Sequence, residues 1–87
     1  MEATFVLHNP SGLHARPASL FVQCAQRYAG TDIFVRKAER EVNARSLLAV
    51  LSLGVPAGAA LTVRAEGPLA AEAVAALGLL VESGFGE

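Results

Sequence analysis

With 87 residues, 53% of them hydrophobic and 17% charged, the chain is too apolar to stay disordered and long enough for one modest core. A formal charge of −1, from seven Lys+Arg against eight Asp+Glu, provides no basic field to hold nucleic acid or anionic lipid. A single cysteine, Cys24, excludes an internal disulfide and lies in no metal-ligand spacing.

No basic segment followed by an apolar run opens the chain. Its longest weakly charged stretch, Ser46 to Val63, is interrupted by Gly54, Pro56 and Gly58. The expectation is one cytoplasmic domain over residues 1–87, with no membrane insertion, no nucleic-acid partner, and neither metal nor other cofactor.

Thr4-Phe5-Val6-Leu7 is β-prone and runs into the turn cluster Asn9-Pro10-Ser11-Gly12, which predicts a strand. From Ala15 to about Tyr28 the period changes. Ala18, Phe21, Val22, Ala25 and Tyr28 recur at helical spacing, and Gly30 marks the stop. Thr31 to Arg36 predicts a second strand, with Ile33 and Val35 on one face, and Lys37 to Arg40 a polar hairpin tip. Glu41-Val42-Asn43 reads as the return strand.

Ser46 is placed to cap a short helix ending near Leu53 and Gly54. Pro56-Ala57-Gly58 is a loop. Leu61, Val63 and Ala65 alternate with Thr62, Arg64 and Glu66 as a half-buried strand. Gly67-Pro68 is expected to open the last helix, with proline at or near its first position. Ala70, Ala73, Val74, Leu77, Leu80 and Val81 supply that helix with an apolar stripe. The order βαββαβα predicts an α/β (α+β) open-faced sandwich, one sheet carrying helices on a single face.

Chemistry concentrates in Gly12-Leu13-His14-Ala15-Arg16-Pro17-Ala18, where a strand and turn give way to a helix. A neutral imidazole has one unprotonated nitrogen, and it titrates near about 6.5, so it can attack phosphorus at neutral pH without a separate base. The resulting P–N bond is easily broken again, as a carrier requires. The first-turn backbone N–H groups of Ala15 and Arg16 lack intrahelical acceptors and suit an anion. Arg16 adds a permanently charged fork matched to phosphate oxygens. Pro17 gives up an N–H with no helical acceptor. Histidine is a poor helix cap, so stability alone does not select it at position 14.

This heptad resembles the active-site pattern of the HPr family, the histidine-containing phosphocarriers of the bacterial phosphoenolpyruvate-dependent sugar phosphotransferase system. A second stretch, Val42-Asn43-Ala44-Arg45-Ser46-Leu47-Leu48-Ala49-Val50-Leu51-Ser52-Leu53-Gly54, resembles the family's regulatory-serine segment. With length and element order, the resemblance spans essentially the whole chain. It implies a four-stranded antiparallel sheet under three helices and a carrier rather than an enzyme. His14 would hold the phosphoryl group on Nδ1, and Arg16 would stabilise its charge. Enzyme I would be the donor and enzyme IIA domains the acceptors. Ser46 would correspond to the serine modified by a regulatory ATP-dependent kinase, with a matching phosphorylase. The chain is expected to be monomeric.

The sequence departs from the family pattern at several points. Ala49 stands where many relatives have glycine, Leu48 and Leu51 stand where methionines are common, and the hairpin from Lys37 to Glu41 is longer and more charged. Leucine adapts to irregular partners less well than methionine, so the patch stays apolar but stiffens. Leu47, Leu48 and Leu51 cannot all face inward on one short helix, whereas Val50 and Leu53 suit the core. The exposed leucines are expected to form a partner-docking patch beside His14. His8 and Cys24 are read as structural, and Glu87 is assigned no function. An alternative reading is a paralogous carrier serving a nitrogen-related or dihydroxyacetone-kinase branch. A nucleic-acid-binding module is disfavoured by the charge and the few aromatics.

Overall fold

The computed structural model describes residues 1–87, as strands β1 (Glu2–Val6), β2 (Asp32–Lys37), β3 (Arg40–Asn43) and β4 (Ala60–Glu66). Helices α1 (Ala15–Gln26), α2 (Leu47–Ser52) and α3 (Ala70–Glu82) alternate with them, and a short 3₁₀ turn covers Gly84–Gly86. The strands pair in the order β1-β4-β2-β3, antiparallel throughout. Three helices on a four-stranded antiparallel sheet make the expected open-faced sandwich.

Strict alternation in β4 explains its central place. Leu61, Val63 and Ala65 are all fully buried, while Thr62 and Arg64 between them look outward. Register then aligns like with like: Leu61 faces Phe5, and Val63 faces both Ala3 and Val35. Phe21, Ala18 and Ala25 of α1 and Ala73, Leu77 and Val81 of α3 close the same core. The opposite sheet face is polar. There Arg64 pairs with Glu41 and Glu66 and lies 4.4 Å from the Phe34 ring centroid. On α3, Gly78 lies where a Cβ would fall 2.3 Å from the Phe5 ring, so the missing side chain makes room for that ring.

Several boundaries differ from the sequence reading. β1 starts at Glu2 rather than Thr4, because Ala65 N–H bonds Met1 O at 2.8 Å and carries the pairing outward. α1 stops at Gln26; Arg27 and Tyr28 donate three residues back, to Cys24 and Ala25, which tightens the last turn. β3 begins at Arg40, one residue early, because Ala38 adopts a left-handed φ of 54° and shortens the tip. Pro68 does not open α3. Ala70 N–H closes a turn onto Gly67 O at 3.2 Å, and Leu69 N–H donates to Thr31 Oγ1 at 3.1 Å, so Leu69 becomes the cap residue.

The helix that approaches the site is held at both ends. Arg45 donates to Tyr28 O at the end of α1, and Gln26 donates to Arg45 O. Lys37 reaches Gly54 O at 3.1 Å and Arg40 reaches Ser52 O at 2.8 Å, so two hairpin cations meet carbonyls at the negative end of α2. Ser46 caps the start, its Oγ accepting from Ala49 N–H at 3.3 Å. Removing that cap by Ser46→Ala is expected to cost about 1 kcal/mol in urea unfolding, with Ser46→Asp keeping wild-type stability. Equal stability of the alanine variant would show that the cap contributes nothing.

Candidate functional site

The turn that presents the imidazole is stitched to the loop before β4. Leu13 is 2% exposed, and its N–H donates to Val55 O at 2.9 Å. Gly12 lies so close to this loop that a Cβ would stand 2.6 Å from Val55 O and 2.7 Å from Ala57 N. Its φ of +64° is in the left-handed region, which glycine alone enters without strain. Sequence and packing therefore demand the same residue at position 12. The turn is closed by Gly12 N–H donating to Asn9 O at 3.2 Å, and by Asn9 Nδ2 donating to Gly12 O at 2.8 Å.

His14 follows as the N-cap of α1, with φ −92° and ψ −163° and no side-chain cap bond. Its carbonyl accepts from Ala18 N–H at 2.7 Å, while the imidazole is exposed and makes no hydrogen bond within the chain. Pro17 is buried against the core, which keeps the first turn from fraying. Ala15 and Arg16 are exposed beside His14, and their N–H groups precede any intrahelical acceptor. The Arg16 guanidinium forms no ion pair or hydrogen bond in the chain. One helix start thus offers an exposed imidazole, two backbone donors and an unpaired guanidinium, a set suited to a phosphoryl group.

From α2, Leu51 joins Leu13, His14, Val55 and Pro56 in lining one open groove. Leu47 and Leu48 do not line it. They extend from the same helix at 42% and 81% exposure, while Val50 and Leu53 are buried as expected. Ser46 also lies outside the groove, at the far end of α2 from Gly54. Cys24 is buried in α1; burial raises its thiol pKa against a weaker opposing effect of Arg27, so it is held as a neutral thiol.

The sequence reading gave Glu87 no function. Glu87 folds back onto the turn before His14, its carboxylate accepting from Asn9 Nδ2 at 2.9 Å and from Ser11 Oγ at 2.8 and 2.9 Å. These bonds, led by Asn9, hold its carboxyl below the usual glutamate range, with a smaller contribution from the Arg16 charge. A lowered carboxyl keeps these contacts charge-assisted above its ordinary titration range, and that extra stabilisation disappears only as pH falls through the lowered value. The contact spans more than seventy positions of sequence. Just before Glu87 in the chain, Phe85 is buried between Gly84 and Gly86.

The family model describing the PTS HPr component phosphorylation site matches residues 1–83. The chain belongs to the PTS HPr family. It is 37% identical over 89 residues to the phosphocarrier protein HPr of Chlamydia muridarum, covering 100% of this chain and 83% of that one. It is 38% identical over 90 residues to the multiphosphoryl transfer protein of Haemophilus influenzae, and covers 18% of that protein's length. Against the crystal structure of HPr-C-His from Thermoanaerobacter tengcongensis the TM-score is 0.96 at 46% identity, over 100% and 97% of the two chains.

As an HPr-family chain it is a phosphoryl carrier of the phosphotransferase system rather than a catalyst. These matches do not favour the nitrogen-related or dihydroxyacetone-kinase branch. In this HPr fold the Gly12 contact is the strictest local requirement of the His14 turn. Gly12→Ala is expected to cost about 2–4 kcal/mol by combining left-handed strain with backbone overlap. Thermal melting checks it, and an unchanged melting temperature would show that the turn adapts freely.

Proposed function

We propose that His14 accepts and releases the phosphoryl group of this carrier through Nδ1, with enzyme I as donor and enzyme IIA domains as acceptors. The observation that carries the reading is an exposed, unbonded imidazole at a helix start, next to an arginine with no partner of its own. Attack by Nδ1 forms the P–N bond as the bond from phosphorus to the donor's leaving atom breaks. The ring keeps its Nε2 proton and becomes cationic, which makes imidazole a ready leaving group for the next transfer. Charge on the three equatorial oxygens is met by the Ala15 and Arg16 N–H groups and by the Arg16 fork. Leu51 at the groove and Leu47 and Leu48 beyond it form the apolar docking surface for these partners. Residues 1–87 act as one carrier domain and as a monomer.

Ser46 is the second modification position in this reading. Its capping role accounts for a serine there, and its position among the docking leucines supports a regulatory one. A phosphate would add about −1.5 to −2 charges at a helix start beside Arg45, which tolerates them, so docking suffers and the fold does not.

Incubation with enzyme I and phosphoenolpyruvate should give an acid-labile, base-stable phosphate by phosphorus NMR, absent in His14→Ala. Arg16→Ala should retain the fold and slow transfer about a hundredfold. Undiminished label on His14→Ala would refute the assignment. Ser46→Asp should melt like wild type but accept phosphate from enzyme I more slowly, and a wild-type rate would remove Ser46 from regulation.

A further inference from the structure

Asn9 is 2% exposed, yet it belongs to neither the apolar core nor the proposed transfer chemistry. Its Nδ2 donates to Gly12 O at 2.8 Å and to Glu87 Oε1 at 2.9 Å. Its main-chain carbonyl meanwhile accepts from Gly12 N–H at 3.2 Å. One asparagine therefore grips the Gly12 residue on both its donor and its acceptor, two residues before His14. The Oδ1 atom is buried without a partner. Flipping the amide would set that oxygen against two acceptors, so the donor contacts alone fix the orientation. The Glu87 carboxylate holds Asn9 from the other side and also takes the Ser11 hydroxyl.

We infer that Asn9 is a positioning residue for phosphoryl transfer, setting the direction in which the turn presents His14, and that the Glu87 side chain completes its hold. The inference rests on His14 as the phosphoryl acceptor. Leu13 and Gly12 tie the turn to the Val55 loop, and the Asn9–Glu87 pair ties it to the chain end. In-line transfer is sensitive to sub-ångström placement of the attacking nitrogen, so loosening this side lowers the rate without removing any group that touches phosphate. Partner docking is carried by α2 and stays intact.

The test is quench-flow phosphorylation by enzyme I and phosphoenolpyruvate, with enzyme I as the fixed donor and the carrier concentration varied. Variants are compared below their melting temperatures. Asn9→Ala should lose about tenfold in maximal rate, and Glu87→Ala about threefold, with KM for the carrier unchanged. Glu87→Gln still offers an oxygen to Asn9 and should recover the wild-type rate. Maximal rates at the wild-type level in both alanine variants would overturn the inference, as would a loss wholly in KM or a Glu87→Gln variant as slow as Glu87→Ala. Should Asn9→Ala fail to fold, the two exposed Glu87 variants decide alone. Absence of label on the wild-type chain is a separate result, seen before any variant is compared, and it refutes the His14 reading itself.

Discussion

The bond from Leu13 N–H to Val55 O, with Gly12 pressed against the same loop, is the constraint on which the site depends. It ties the chain entering α1 to the chain leaving α2, so the imidazole and the leucine helix are presented together. Leu13 takes the buried position in the motif, which leaves His14 outside. Burial of one neighbour and exposure of the next is how a rigid fold offers a reactive group to large partners.

Exposure also fits the chemistry. A carrier passes its cargo to another protein's active site, so it needs a nucleophile and charge compensation but no enclosed pocket. The groove beside His14 is open and shallow, and no second titratable side chain lines it. Arg16 keeps its guanidinium unpaired, so the phosphate contact proposed for it would break no internal ion pair. The Glu87 carboxylate feels the Arg16 charge, but its oxygens are occupied by Asn9 and Ser11 rather than by Arg16.

Most of the fold was legible because its signals are local. Alternation marks β4, helical spacing marks α1 and α3, and Ser46 marks the start of α2. The heptad stood out as the candidate site because histidine, arginine and proline at a helix start fit anion chemistry better than capping. What was missed depends on distant residues. Pro68 fails to open α3 because Thr31, in another part of the chain, captures the Leu69 N–H. The reason for a glycine at position 78 is Phe5, whose ring occupies the space of the missing side chain. Glu87 carries no local pattern, and only the return of the chain past Phe85 brings it to Asn9 and Ser11. The leucines of α2 are exposed as their spacing implied, and Leu51 is the one that lines the groove of His14.

The central claim is that phosphate resides on His14 and is met there by the start of α1. A phosphorus–proton correlation spectrum of the chain charged by enzyme I and phosphoenolpyruvate, recorded with amide shifts, tests it most directly. The account predicts one phosphate coupled to the His14 ring protons, with the Ala15 and Arg16 amides among the most displaced. Phosphate on any other side chain, or a His14 phosphate that leaves those two amides unmoved, would contradict it.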